Sequence, residues 1–219
     1  IIGYKSNLSN AKLSNTDLSG RRVHEANFSA ADLSNANLSN TELYRVQLQN
    51  VNLTSANLTN ADLRSSSLNG ANLTDADLTG AKLHSVSSGN IEGQPILPGS
   101  HSIVNGYIIG PNANLGSANL SGLDLTEANL TGDDLHLANA DLSSTVLSGA
   151  KLGGANLTNA NLSSAMLSKV DLNNADLTNA NLNGLISGGI TGTPILPTGY
   201  KLIDGYIIGQ DVDLTGADL

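Results

Sequence analysis

Cysteine and tryptophan are absent from these 219 residues, phenylalanine and methionine occur once each, and aromatics make up 3%. Without thiols there is no disulfide framework and no thiolate metal site. With so few rings, a core built on large interlocking aromatics is excluded. Charged residues are scarce too, at 13%. No run is long and apolar enough to span a membrane as a helix. Ten Lys and Arg face 19 Asp and Glu, a net charge of −9. No basic cluster is present, which excludes ordinary nucleic-acid binding through phosphate neutralisation.

What remains is Leu, Ala, Asn, Ser, Thr and Gly. So simple a mixture often signals disorder, but here it is ordered in phase. Residues 31–83 run in units of Ala-Asn/Asp-Leu-Ser/Thr-X, with a leucine every fifth residue. Around this stretch the centres extend from Leu8 to Leu83 in 16 units, with Val23 and Phe28 replacing leucine. Two positions before each centre sits a small residue, usually Ala; Arg21 is the misfit. A period of five matches neither a helix nor a long strand. It suits a backbone that turns a corner after every unit, with the leucine and the small residue inward and Asn, Asp or Gly shaping the corner.

These units resemble the pentapeptide-repeat family over residues 6–85 and 113–183. The resemblance implies an all-β fold, a right-handed quadrilateral β-helix with four units per coil. Coils then stack at about 4.8 Å, the spacing of neighbouring strands.

The period fails after residue 85. Pro95-Ile96-Leu97-Pro98 and then Asn105-Gly106-Tyr107-Ile108-Ile109-Gly110 recur as Pro194-Ile195-Leu196-Pro197 and Asp204-Gly205-Tyr206-Ile207-Ile208-Gly209. Asn-Gly and Asp-Gly between apolar runs predict two-residue β-hairpins. Ile1-Ile2-Gly3 reads as the tail of a third copy. The expected organisation is therefore an insert tail at 1–5, a repeat block at 6–85, a hairpin insert at 86–112, a second block at 113–184, a second insert at 185–211, and the start of a further block at 212–219. The chain reads as a window cut from a longer array of modules. In the second block two extra residues near Asp133-Asp134 predict a bulge at a corner, with Leu137 in place of Leu135 as the inward residue.

Folded four units to a coil, the first block sorts its surface. Three sides carry Ser, Thr and Asn. The fourth, units 21–25, 41–45, 61–65 and 81–85, holds eight of the 14 charges in residues 4–85. The candidate interaction face is Arg22, His24, Glu42, Tyr44, Arg45, Asp62, Arg64, Lys82 and His84. Stacked charges there are expected to pair with alternating sign. His24 and His84 fall three coils apart, roughly 14 Å, too far to share a metal. No Gly-Lys-Ser/Thr phosphate loop, nucleophile with a His/Asp partner, or calcium-loop spacing occurs, so no catalytic, cofactor or metal residue is assigned.

The expected function is a non-enzymatic structural or protein-interaction solenoid, part of a longer rod that makes homotypic end-to-end or lateral contacts and assembles into a filament, at the cell surface or outside the cell, with the cytoplasm left open. Two alternatives stand beside it. The family includes DNA-mimicking proteins that bind DNA gyrase, although the charged face here is mixed in sign. Thr54 and Thr74 on one side and Thr59 and Thr79 on the next offer short arrays for ice or carbohydrate.

Overall fold

The computed structural model describes residues 3–218. The first two residues of the Ile1-Ile2-Gly3 motif, and Leu219 at the end of the final repeat, lie outside them. The chain divides into two units, 1–108 and 109–219.

One repeat shows why the sequence takes this form. In unit 31–35 all five backbone amides are accounted for. Ala31 N–H donates to Phe28 O (2.9 Å) and closes the preceding corner. Asp32 N–H donates to Ala11 O, 2.9 Å away in the preceding coil. Leu33 and Asn35 donate to Asn52 O (2.8 Å) and Thr54 O (2.9 Å) in the following coil. That leaves Ser34 N–H, whose acceptor is the Asp32 side chain, at 3.1 Å. Thus the Asn/Asp of the motif supplies the one acceptor that the backbone does not. The corner residue takes a left-handed φ, 55° at Asn35 and 57° at Asn60, while the residue before it does not. This is the type II turn pattern, which favours Asn and Gly at that position.

In the first unit, single parallel bridges link residues 20 apart, or 19 at the last step from Asp77 to Ile96, and define four walls. The first carries Asn7, Asn27, Gln47, Ser67 and Ser87, the second Lys12 to Glu92, the third Asp17 to Ile96, and the fourth Arg22, Glu42, Asp62 and Lys82. This is the right-handed quadrilateral β-helix expected from the repeat. The leucine columns and the small-residue columns fill the interior: Leu33, Leu53 and Leu73 are fully buried, with Ala36, Ala56 and Ala76 beside them. Each fully buried leucine contributes about 1.5–3 kcal/mol of apolar burial. Where the small residue is Thr41 or Ser66, its hydroxyl donates to Leu18 O (3.0 Å) or Leu43 O (2.6 Å) one coil below.

The leucine period ends at Leu83, yet stacking continues. Ser87, Glu92 and Ile96 bridge to Ser67, Asn72 and Asp77, and Ile91 takes the inward place. The hairpin follows as β1 (Ser102–Val104) and β2 (Tyr107–Ile109), joined by Asn105 and Gly106, both at positive φ as a type I′ turn requires. It packs on the coil rather than beside it. Ile91 N–H donates to Gly106 O (2.9 Å) and Ile108 N–H to Ser88 Oγ (2.8 Å). Gly89 faces the Tyr107 ring, and a Cβ there would come within 3.2 Å of it, so a larger residue needs the ring to shift.

The second unit repeats this plan. Bridges run first at 22-residue and then at 20-residue spacing, as Asn114↔His136 and His136↔Asn156 show. The two extra residues widen the corner at Gly132-Asp133-Asp134, after which the register resumes. Leu137 takes the leucine column as expected. Leu135 is buried as well, at the small-residue position, so the bulge adds apolar volume rather than exchanging one leucine for another. Strands β3 (Met166–Ser168) and β4 (Ile186–Gly188) pair in parallel. β5 (Lys201–Ile203) and β6 (Tyr206–Ile208) form the second hairpin, with the same contacts: Ile190 N–H to Gly205 O (3.0 Å) and Ile207 N–H to Ser187 Oγ (3.0 Å). Beyond it, Asp213 bridges to Ile186, so the stack resumes after the insert.

Candidate interaction face

On the second and third walls of the first unit most outer bridge positions are Asn or Asp, and on the first they are Asn, Gln or Ser. On the fourth, Arg22, Glu42 and Lys82 occupy that position and only Asp62 keeps the turn acceptor. The wall forgoes local hydrogen bonds, and departures of this kind mark places where sequence serves something other than folding.

The 20-residue register brings the charged groups into contact. Glu42 is held from two sides, by Arg22 Nε at 3.1 Å and by His24 Nε2 at 2.8 Å. Arg64 grips Asp62 with two hydrogen bonds, Nε to Oδ1 at 2.8 Å and Nη2 to Oδ2 at 2.6 Å. Tyr44 lies between them. Its ring meets His24 edge-on at 6.2 Å, and Arg45 and Arg64 stand 5.0 and 6.0 Å from its centre. Together His24, Glu42, Tyr44, Asp62, Arg64 and Lys82 line an open concavity of about 540 Å³.

The outer column reads plus, minus, minus, plus, and this corrects the expectation of alternating sign. Glu42 and Asp62 are like-charged neighbours in register. Arg22 and Arg64 relieve their repulsion by pairing with Glu42 and Asp62, and His24 Nε2, two residues beyond Arg22, hydrogen-bonds Glu42. The Asp62 side chain is only 15% exposed, and the Arg64 guanidinium holds its carboxyl below the usual carboxylate range, with Lys82 adding at longer reach. As surface pairs, each of these bridges contributes no more than about 1 kcal/mol; their main effect is to fix side-chain positions.

Eight of the nine sequence-assigned residues are thereby gathered. His84 continues the column of His24, Tyr44 and Arg64 by register, and its carbonyl accepts from Ser65 N–H at 3.0 Å. The structure adds Tyr4 and Lys5, one coil before His24 and Glu25. Lys5 Nζ pairs with Glu25 at 3.5 Å and lies 5.0 Å from the Tyr4 ring. Subtracting 20 from Glu25 would have found Lys5; assigning residues 1–5 to an insert tail concealed it.

Among the described residues no group of three His, Asp or Glu is placed to hold a metal ion, and no helix is long and apolar enough to cross a membrane. The second unit has its own departure, the outward column Val146, Met166 and Ile186, where apolar residues replace Asn or Asp.

Two family profiles match the chain: one described as a pentapeptide repeat region over residues 4–78, and one as pentapeptide repeats (8 copies) over 112–139, 133–163 and 145–184. Together they cover more than half of the sequence. The chain belongs to the pentapeptide-repeat family. Among solved pentapeptide-repeat structures it is similar to HetL, involved in heterocyst differentiation regulation in the cyanobacterium Nostoc sp. strain PCC 7120, at 30% identity over 97% of this chain and 89% of that one, with a TM-score of 0.36. A protein of the Arabidopsis thaliana thylakoid lumen matches at 19% identity over 70% and 69%, with a TM-score of 0.25. QnrB1, a plasmid-mediated fluoroquinolone resistance protein, matches at 17% identity over 87% and 93%, with a TM-score of 0.26. No curated protein matches the chain.

Proposed function

We propose that this pentapeptide-repeat protein is a non-enzymatic binding scaffold that makes protein contacts, homotypic contacts among them, through the fourth wall of its first unit. The observation that carries this reading is the exchange on that wall of Asn and Asp for Arg22, Glu42 and Lys82, and of Ser and Thr for His24, Tyr44 and Arg64. Arginine and tyrosine are favoured at protein interfaces, where they supply rigid contact area and directed hydrogen bonds. The pairs around Glu42 and Asp62 hold those groups in place before any partner arrives, which lowers the entropy lost on binding. The same reading makes the chain one stretch of a longer modular assembly.

Two other readings are supported less well. Gyrase binding by DNA mimicry calls for a negatively charged face, and this one mixes cations with carboxylates. Ice or carbohydrate binding calls for free hydroxyl arrays, but Thr54 and Thr59 donate their hydroxyls to Asn52 and Asn57 Oδ1 at 2.7 and 2.8 Å.

The test is sedimentation velocity of the purified chain across a concentration series, followed by cross-linking of cell extract from the source organism. Self-association or a discrete cross-linked partner that disappears with Tyr44→Ala and Arg64→Ala supports the scaffold. A strictly monomeric chain with no partner sensitive to those changes refutes it.

A further inference from the structure

The two units differ sharply in charge. All four arginines of the chain, Arg21, Arg22, Arg45 and Arg64, lie on the fourth wall of the first unit. With Lys82 they make five cations against three carboxylates, Glu25, Glu42 and Asp62, in units 21–25, 41–45, 61–65 and 81–85. This wall is therefore positive in a protein of net charge −9. Residues 109–219 hold eleven Asp and Glu, three lysines and no arginine.

The carboxylates of the wall are already engaged by Arg22, His24, Arg64 and Lys5. The surplus falls on Arg21, Arg45 and Lys82, none of which makes an ion pair among the described residues. Arg21 is exposed at a position that elsewhere holds a buried small residue. Arg45 stands beside the Tyr44 ring, and Lys82 lines the concavity. A rigid concave surface with cations outside any ion pair around a tyrosine fits an acidic protein, and residues 109–219 of the same sequence carry the excess of carboxylates.

We propose that the fourth wall docks a second copy of the chain through the acidic residues of that copy's second unit; the proposal rests on the homotypic reading above. Opposite charges draw the copies together and set their orientation. The contact is heterologous, one surface meeting a different one, so it propagates from copy to copy instead of closing a two-fold dimer.

The experiment compares the full chain with R45E/K82E and with K12E, which makes a charge change on the second wall. Sedimentation velocity is run from about 20 mM to about 300 mM NaCl, over which the screening length falls severalfold. Association of the wild type is expected to weaken at least tenfold with added salt. R45E/K82E should weaken it at least tenfold at low salt, with circular dichroism unchanged, whereas K12E should not. In a mixture of ¹⁴N- and ¹⁵N-labelled chains, carbodiimide should join Lys82 of one copy to carboxylates within 109–219 of the other. Association that ignores charge reversal, or mixed-label cross-links that avoid Lys82, overturns this docking surface and leaves homotypic assembly standing. A chain monomeric at every salt concentration overturns both.

Discussion

At the residue scale the repeat sets one demand at every corner, a left-handed φ, and meets it unevenly. Asn and Gly adopt that conformation readily; Ala30, at φ 56°, does not. A left-handed alanine carries roughly 1–2 kcal/mol of strain, so Ala30→Gly is expected to stabilise the first unit by about 1 kcal/mol once the flexibility of glycine in the unfolded chain is subtracted. Urea denaturation measures this, and a loss of stability would contradict the account of the corner. The Asn/Asp position makes a second demand, an acceptor for the next amide but one. At six aspartates in this position, Asp17, Asp32, Asp77, Asp124, Asp141 and Asp213, the carboxyl is held below its ordinary range, first by hydrogen bonding with the residue two places on. The sign follows directly. The folded chain binds fewer protons than the unfolded one in this range, so the stabilisation is complete above the ordinary value near pH 4 and disappears as pH falls through the lowered folded values. Denaturation midpoints are expected to be level from pH 7 to 5 and to fall below about pH 4. Asp141→Asn keeps the acceptor and should flatten part of that decline.

At the scale of the element, the fourth wall should be less stable than its sequence allows. Lys82→Asn restores a turn acceptor and removes no ion pair present among the described residues. It is expected to add about 0.5–1 kcal/mol of stability while weakening association, a trade between folding and function that thermal melting and sedimentation can read on one sample. The hairpins offer a complementary test. Ser88→Ala removes the hydroxyl that accepts from Ile108 N–H, so hydrogen exchange at Ile108 should quicken while Leu53, deep in the stack, stays protected. Much of this scale was readable beforehand. The leucine period, taken with the four units per coil that the family resemblance implies, places Arg22, Glu42, Asp62 and Lys82 in one column, and Asn105-Gly106 announces its hairpin. The continued stacking through residue 97 was hidden for a physical reason: Ser88 and Gly93 stand at the leucine positions, Ile91 fills the place of an alanine, and the last step shortens to 19 residues, Asp77 to Ile96, so the leucine period ends before the coil does. The bidentate Arg64 contact was hidden as well, because it depends on rotamers rather than spacing.

At the scale of the whole molecule, charge is divided unequally. Residues 1–108 carry seven cations and eight carboxylates, close to balance, whereas 109–219 are strongly acidic. Self-repulsion in the second unit is relieved by screening. Residue-resolved hydrogen exchange on dilute monomer should therefore show protection rising with salt across 137–185 and changing little across 31–83. An equal response in both units would show that charge is locally compensated in ways the composition conceals.

The corner at Gly132-Asp133-Asp134 has a use outside folding. Two surplus residues enter there, and the count of twenty is restored from His136 onward. A stack held by independent bridges keeps its place as a ruler does when one gap between marks is lengthened. That corner is a ready site for grafting a foreign peptide epitope or a tag, displayed at a known height on a rigid wall while the downstream coils keep their original alignment.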